Sequence, residues 1–366
     1  AADFYKPVQN GAEFAFTALA GAPGDDVVVA GWFSGAVRFG ATTLVAWGQR
    51  DAFVARRSAA GTWLWARRLG GAGMDEAYAV AVDAAGDVYL GGAFAGQVLV
   101  GSFIQGPALL LAAEGATDAF VARLDGAGQW AWLTRLGGAG ASLQPGPDSD
   151  AYNGFFPEAT VALAVDPSGG VVAGGRFLFT ASAGTATPRL TSAGGSDAWV
   201  GRLASDGAFT WVTRAGDVTS DDYAITAVAC DGSSTWVAGA FMGALSFEGA
   251  AAPIVADGNS QLYLARLGAG GALDWARTVN GSWPGGTAGA LLPDGEGGVY
   301  LGGKVGIGRT GFAVIYAPHV SRWDVAGVRA WAVDGNAAGQ VVGLARQSDG
   351  SLLVGGSEEG ALAFAD

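Results

Sequence analysis

An aromatic side chain three residues before an arginine recurs along this chain, with histidine in the aromatic position of the last copy. The five copies span Phe53–Arg56, Phe120–Arg123, Trp199–Arg202, Tyr263–Arg266 and His319–Arg322. A glycine-containing turn and a tryptophan follow each copy, and these tryptophans are Trp65, Trp132, Trp211, Trp275 and Trp331. Repetition on this scale predicts one small supersecondary unit that is copied around or along an axis.

A second pattern lies between the copies of the first one. It consists of two short apolar runs joined by a turn rich in Asp and Gly, as in the stretch from Tyr78 to Phe94. Each repeat therefore has four strand-like segments, which we name A to D; segment C carries the aromatic–arginine pattern and segment D the tryptophan. Short runs rich in valine and aromatic residues, separated by glycine turns, are typical of antiparallel strands. Four such strands per repeat predict the blade of a β-propeller.

The number of repeats predicts the size of the ring. Six A–B hairpins but only five C–D hairpins are present, and Asp366 comes before a sixth segment C would begin. The stretch from Phe4 to Val8 aligns with a segment D. We therefore predict an all-β fold, with residues 1–366 forming a single β-propeller domain of six four-stranded antiparallel blades. The strand at about 3–9 would complete the last blade, begun at about 341–366, so that pairing of the N- and C-terminal strands closes the ring. Seven blades, or a larger parent protein, are the alternatives.

Composition narrows the range of partners. The chain has 20 Lys and Arg against 33 Asp and Glu, a net charge of −13. Such a field repels phosphate backbones, so we expect no nucleic-acid partner. No apolar run approaches the roughly 20 residues that span a bilayer, so we expect no membrane insertion. The first residue is Ala1 rather than Met, which fits either a processed mature form or an artificially shortened chain. We favour an exported protein at the cell surface or outside the cell, with the periplasm as alternative.

Two stretches resemble a known family. The run from Asp75 to Gly92 and the run from Asp118 to Gly128 are similar to the bacterial β-propeller repeats called SBBP. The similarity weakens after about Gly285. It implies a propeller in an exported or surface-attached bacterial protein, with seven blades by the family name and no shared catalytic residue.

The recurring side chains are best explained by packing. Tryptophans at one fixed place in every repeat would fill the gaps between blades. The arginines of segment C would stack on the neighbouring aromatic or pair with an Asp before segment A, such as Asp75 or Asp222; binding of an anion in the central channel is the alternative. The Asp residues of the A–B turns would cap those turns. No cofactor is expected, with calcium as the alternative.

The sequence singles out no catalytic residue. His319 is the only histidine, which excludes a metal site built from several histidines, and any Ser-His-Asp site would have to use it. The only cysteine, Cys230, falls on a segment predicted to be a buried strand, so we expect a core thiol. A hydrolase or lyase that uses only carboxylates stays open as an alternative.

The long connections predict where a partner would bind. In a four-stranded blade the A–B and C–D turns share one rim, and they are short here. The B–C and D–A connections share the other rim and are long and varied, which is usual for recognition loops. The largest, residues 137–158, mixes carboxylates with aromatic rings, as a carbohydrate platform or a partial cation site would; packing of its own Phe pair on the blade edge is the alternative. The candidate binding residues on this rim are Asp148, Asp150, Tyr152, Phe155, Phe156, Glu158, Trp283 and Trp47.

These patterns favour a non-enzymatic binding or assembly module, exported or surface-associated, that acts through its long-loop rim. The expected partner is a protein of a surface assembly or a cell-surface glycan. A carboxylate-based polysaccharide lyase or hydrolase is the first alternative. A purely structural segment of a larger repeat protein is the second.

Overall fold

The fold consists of strands and turns. The computed structural model describes residues 6–7, 13–101, 108–138, 159–183, 189–218, 224–256, 260–279, 283–310, 313–347 and 349–358, and these ranges contain no helix. None of the described residues therefore forms a helix of the length and hydrophobicity that a membrane crossing needs. The prediction of an all-β protein is confirmed.

The strands follow the predicted segments. In the first half of the chain they are β1 (Lys6–Pro7), β2 (Phe14–Ala22), β3 (Asp26–Phe33), β4 (Ala36–Phe39), β5 (Thr42–Val45), β6 (Asp51–Arg57), β7 (Trp63–Gly71), β8 (Asp75–Val82), β9 (Val88–Val100), β10 (Leu109–Leu124), β11 (Trp130–Leu136), β12 (Ala159–Val165), β13 (Val171–Ala181) and β14 (Leu190–Leu203). In the second half they are β15 (Phe209–Gly216), β16 (Ala227–Cys230), β17 (Ser234–Phe241), β18 (Ala244–Phe247), β19 (Ile254–Val255), β20 (Gln261–Gly268), β21 (Leu273–Val279), β22 (Trp283–Pro293), β23 (Val299–Thr310), β24 (Ala313–Trp323), β25 (Arg329–Asp334), β26 (Gly339–Arg346) and β27 (Leu352–Glu358).

Segments A to D of each repeat pair in order as antiparallel neighbours. This gives five four-stranded units, which we call sheets I to V: β2-β3-β6-β7, β8-β9-β10-β11, β12-β13-β14-β15, β16-β17-β20-β21 and β22-β23-β24-β25. Sheet VI is the hairpin β26-β27. The B–C connections contain more pairing than the sequence predicted. Sheets I and IV add the hairpins β4-β5 and β18-β19, and β9 and β10 continue their ladder outward to Val100 and Leu109.

The core lies between successive sheets. One buried cluster joins Val54 and Trp65 of sheet I to Leu90 and Phe120 of sheet II, and further clusters join II to III, III to IV and IV to V. The segment A strands also contact one another in succession, from β2 through β8, β12, β16 and β22 to β26. Sheets II to V therefore each lie between two neighbouring sheets, and this stacking buries apolar residues that a four-stranded repeat cannot bury alone.

The predicted pairing of the two chain ends is not found. Lys6 and Pro7 pair with Arg38 and Val37 of β4, in the first repeat. Within the described ranges β26 and β27 pair only with each other, and no closed ring is seen. Most of the predicted strand at about 3–9 and residues 359–366 lie outside the described residues, so the closure of the ring by the two chain ends stays a prediction.

The segment C arginines pair as structural residues, but with other partners than predicted. Asp75 accepts hydrogen bonds from the backbone N–H groups of Gly71 and Ala95, at 2.8 and 3.1 Å. Asp222 lies outside the described residues. The observed carboxylates mostly stand at the A–B turn of the same sheet, in the pairs Arg56–Asp26, Arg123–Asp87, Arg202–Asp166 and Arg322–Asp294, whereas Arg266 pairs with Asp274 near its C–D turn. These ion pairs tie segment C to the adjacent hairpin turns.

Candidate functional site

A β-bulge recurs at one place in segment A. The register of pairing with segment B shifts between Phe16 and Ala18 in sheet I and between Ala77 and Ala79 in sheet II. The same shift occurs in sheets III, V and VI. A bulge leaves one residue out of the ladder and re-aims its side chain. The residues left out in sheets I, II and III are Thr17, Tyr78 and Val161, and Thr226 takes the aligned position just before β16.

These four residues line one pocket where sheets I to IV meet. The pocket has a volume of about 590 Å³, within the range of small-molecule sites. The other four lining residues are Trp32, Glu76, Arg176 and Ala224. They stand where segment B ends or segment A begins, so the pocket lies on the side of the long B–C and D–A connections.

Four of the lining side chains depart from the repeat. Trp32 pairs with Ala15 in sheet I, and Arg176 pairs with Ala159 in sheet III; both partners are the second residue before the bulge. The residue at the same place in sheet II is Ala93, which pairs with Glu76. Glu76 stands where sheets I, III and IV have Ala15, Ala159 and Ala224. The aligned bulge residues are small or aliphatic where Tyr78 is aromatic. Sheets V and VI have Lys304 and Ser357 at the place of Trp32 and Arg176, and Thr287 and Gln340 at the place of Glu76. These places therefore vary from copy to copy, which packing of a repeat does not require, so their large side chains are candidates for binding.

Glu76 is the centre of a polar network at the pocket wall. Its carboxylate is buried, and it accepts hydrogen bonds from the Tyr78 hydroxyl at 2.8 Å and from Arg50 Nη1 at 3.0 Å. The Arg50 guanidinium carbon also lies 4.0 Å from the centre of the Trp32 ring. The arginine thus neutralises the carboxylate and holds the indole at the same time. The pocket offers one aromatic surface, hydroxyl groups, a carboxylate and a second guanidinium, that of Arg176.

Among the described residues the pocket shows one carboxylate rather than the acid–base pair of a glycoside hydrolase. Such enzymes use two carboxyl groups roughly 5 to 10 Å apart. Glu76 is the only carboxylate among the described pocket residues. Burial raises the pKa of the neighbouring Asp75 to about 7, and the N–H bonds from Gly71 and Ala95 oppose this only in part. However, Asp75 is fully buried, so it has no access to a ligand in the pocket.

His319 belongs to a second polar network, with the connectivity of a Ser-His-Asp triad. Its Nδ1 lies 2.5 Å from an Asp334 oxygen and its Nε2 lies 2.9 Å from Ser321 Oγ. Both His319 and Ser321 are buried, and the Trp323 indole N–H donates to the same Oγ at 2.9 Å. A nucleophile must reach its substrate. This serine is enclosed, so the network holds segment C of sheet V together.

The rim residues predicted from the sequence are only partly described. Asp148, Asp150, Tyr152, Phe155, Phe156 and Glu158 lie outside the described residues. Trp283 was predicted to lie in a loop, but it is the first residue of β22, and its backbone pairs with that of Gly306. Trp47 is 60% exposed between β5 and β6, with the Arg68 guanidinium 3.5 Å from its ring centre. It does not line the pocket.

The pocket residues were missed by the sequence analysis. Trp32, Tyr78 and Arg176 lie inside segments that were interpreted as plain strands, and Glu76 comes directly before one of them. The signal that would have found them is a position-by-position comparison of the repeats, since the residues at these places vary in size and charge from copy to copy.

The Asp residues of the A–B and C–D turns act on their own backbone. Asp83 Oδ1 accepts N–H bonds from Ala85 and Asp87, at 3.0 and 2.9 Å. Asp125 does the same for Ala127 and Gln129. These bonds cap the turns, as such residues commonly do.

Comparison with known proteins gives only distant structural likenesses. No family model and no curated protein matches the chain. One similar solved structure is a protein of unknown function from Bacteroides caccae, 10% identical, with a TM-score of 0.36 over 90% of this chain and 84% of that chain. Another is a GH43 endo-arabinanase from Bacillus licheniformis, 11% identical, with a TM-score of 0.31 over 87% of this chain and 97% of that chain. At such identities and scores, neither likeness assigns a fold, a substrate or a site to this chain.

Proposed function

We propose that this protein is a non-catalytic binding module whose pocket takes a sugar residue of a glycan. One observation carries the proposal: Trp32, Glu76, Tyr78 and Arg176, which depart from the repeat, line a single pocket of about 590 Å³. Repetition explains the rest of the scaffold, and it does not explain these side chains.

The chemistry of the wall favours a neutral polar ring over an ion. The carboxylate of Glu76 and the net charge of −13 oppose an anion, and Arg50 and Arg176 oppose a cation. A sugar presents an apolar C–H face and hydroxyl groups that both donate and accept hydrogen bonds. The Trp32 ring matches the face, and the carboxylate, guanidinium and hydroxyl groups match the hydroxyls.

The proposal includes an architecture and a setting. The sheets would form a six-bladed β-propeller of the SBBP type in an exported or surface-associated bacterial protein. The face-to-face stacking of sheets I to V and the succession of segment A contacts support this arrangement. The glycan would belong to a cell surface. A protein of a surface assembly stays the alternative partner.

A glycan array, followed by calorimetric titration of the best sugar, tests the proposal with and without calcium. We expect saturable binding that Trp32→Ala abolishes and that Trp47→Ala, an exposed tryptophan outside the pocket, leaves unchanged. Binding lost in Trp47→Ala but retained in Trp32→Ala would move the site away from the pocket. Binding of no sugar by the folded protein would overturn the proposal.

A further inference from the structure

The same contact joins sheet I to II, II to III, III to IV and IV to V. The segment D tryptophan of one sheet lies on the glycine of the C–D turn of the following sheet, and we call this the tryptophan–turn contact. The four pairs are Trp65–Gly128, Trp132–Gly207, Trp211–Gly271 and Trp275–Gly327. A Cβ on any of these glycines would lie only 2.5–2.7 Å from a ring carbon. In three pairs the indole N–H also donates to a carbonyl of that turn, on Gly126, Ser205 and Val325, at 3.1, 2.9 and 2.9 Å.

The series is incomplete at sheet V. Trp331 is 40% exposed, whereas Trp65, Trp132 and Trp275 are 7–9% exposed. It nevertheless holds the pose of a buried member, because its ring centre lies 6.0 Å from that of Tyr300, as Trp132 lies 6.1 Å from Tyr89. The ring is therefore pre-positioned for a turn that the described residues do not supply.

Sheet VI has no segment C strand among the described residues. In sheets I to V each segment B strand pairs with a segment A strand on one side and a segment C strand on the other. The segment B strand β27 pairs only with β26 among the described residues. Its second edge can accept a strand through backbone hydrogen bonds. In addition, Asp349 stands in the A–B turn at the place of Glu296, which receives Arg322 in sheet V.

We propose that Trp331, the outer edge of β27 and Asp349 form a docking surface for a β-hairpin of the C–D type carried by another polypeptide. The first strand of this hairpin adds to β27 and presents its arginine to Asp349. Its turn glycine, in the left-handed conformation, covers the Trp331 ring. The argument for this occupant is continuity, since in sheets II to V a C–D hairpin adds to segment B and its turn glycine covers the tryptophan of the preceding sheet. The proposal does not depend on what the pocket binds.

The test uses a hairpin that the chain already contains. A fluorescent peptide with the sequence of residues 117–136, its ends joined by an added disulfide and its strand content checked by circular dichroism, is titrated into the full chain. We expect saturable binding by fluorescence anisotropy, together with slower hydrogen exchange of the β27 amides. Trp331→Ala should weaken binding by at least about tenfold, as loss of a central tryptophan typically does.

Three controls distinguish the proposed contact from nonspecific binding of the peptide. The Gly128→Val peptide should not bind, because its turn can neither adopt the conformation nor approach the ring. Trp47→Ala in the protein should bind like the unchanged chain. Trp331→Phe, which keeps a ring but loses the N–H, should fall between. The proposal is overturned if the folded hairpin does not bind, or if binding ignores both Trp331→Ala and Gly128→Val.

Discussion

The Tyr78 hydroxyl donates a hydrogen bond of 2.8 Å to Glu76, two residues earlier in the same strand. Neighbours two apart normally share a face of a strand, but here a bulge lies between their pairing positions. The bulge turns the tyrosine into the pocket without separating it from the carboxylate. The local irregularity of β8 and the polar chemistry of the pocket are therefore one feature.

Replacement of Tyr78 by Phe tests this link. It keeps the ring and removes the donor to Glu76, so the carboxylate should be held less firmly. Since one hydrogen bond typically contributes about 1 kcal/mol, we expect sugar binding to weaken by roughly three- to tenfold. Titration calorimetry measures the change. Tyr300→Phe, outside the pocket, is the matched control, and equal effects of the two substitutions would contradict the role assigned to Tyr78.

Two turn glycines allow a matched test of the tryptophan–turn contact. Gly207 and Gly61 have nearly the same positive φ, +86° and +87°, but only Gly207 lies against a tryptophan ring. Ala at Gly61 should lower the free energy of unfolding by about 1 kcal/mol through backbone strain alone. Ala at Gly207 adds a clash with Trp132 and should lower it by about 2–4 kcal/mol. Urea denaturation followed by tryptophan fluorescence measures both, and equal losses would speak against the contact.

Asp75 predicts a pH dependence of stability. Burial raises the pKa of its carboxyl group from the ordinary 3.8 to about 7 in the folded protein. The folded state therefore holds a proton that the unfolded state releases, and this contribution to stability is present at low pH and disappears as the pH rises through about 7. When the pH falls from about 8 to about 5, the free energy of unfolding of the unchanged protein should rise by roughly 2 kcal/mol relative to that of Asp75→Asn, whose side chain stays neutral. Denaturation curves of both proteins across this range measure the difference. A constant difference would contradict the prediction.

The thiol of Cys230 should be unreactive in the native protein. Burial raises its pKa to about 12, with smaller contributions from Asp166 and Asp231, and Sγ lies 3.1 Å from the Val165 carbonyl oxygen of sheet III. A thiol reagent such as dithionitrobenzoate should therefore react at neutral pH only when sheets III and IV separate. The same reaction in denaturant is the control. Rapid labelling without denaturant would show that this interface opens readily.

Local patterns predicted the strands well because pairing within a repeat is local. The hairpin predicted from Tyr78 to Phe94 lies within β8 and β9, and the Phe53–Arg56 pattern lies inside β6. The histidine that replaces an aromatic, His319, is buried as Phe53 and Phe120 are. Alternating apolar residues and glycine turns are enough to specify such hairpins.

Contacts between repeats were harder to predict. The pairing of Lys6 with Arg38 depends on which edge is free, and similarity to a segment D does not contain that information. Glu76 and Arg176 come from different sheets, and only the stacking of the sheets brings them to one pocket. The carboxylates predicted to pair with the segment C arginines differ from the observed ones for the same reason, since the turn that approaches each guanidinium depends on how the hairpins pack.

The tryptophan–turn contact has a direction, because each of sheets I to IV gives its ring to the sheet that follows. If a gene duplication inserts a whole repeat, both of its neighbours meet it through an interface that already exists, and a deletion joins two sheets that are equally compatible. Repeat number can therefore change during evolution without the invention of a new interface. Selection is then left to act on the few side chains that differ between copies.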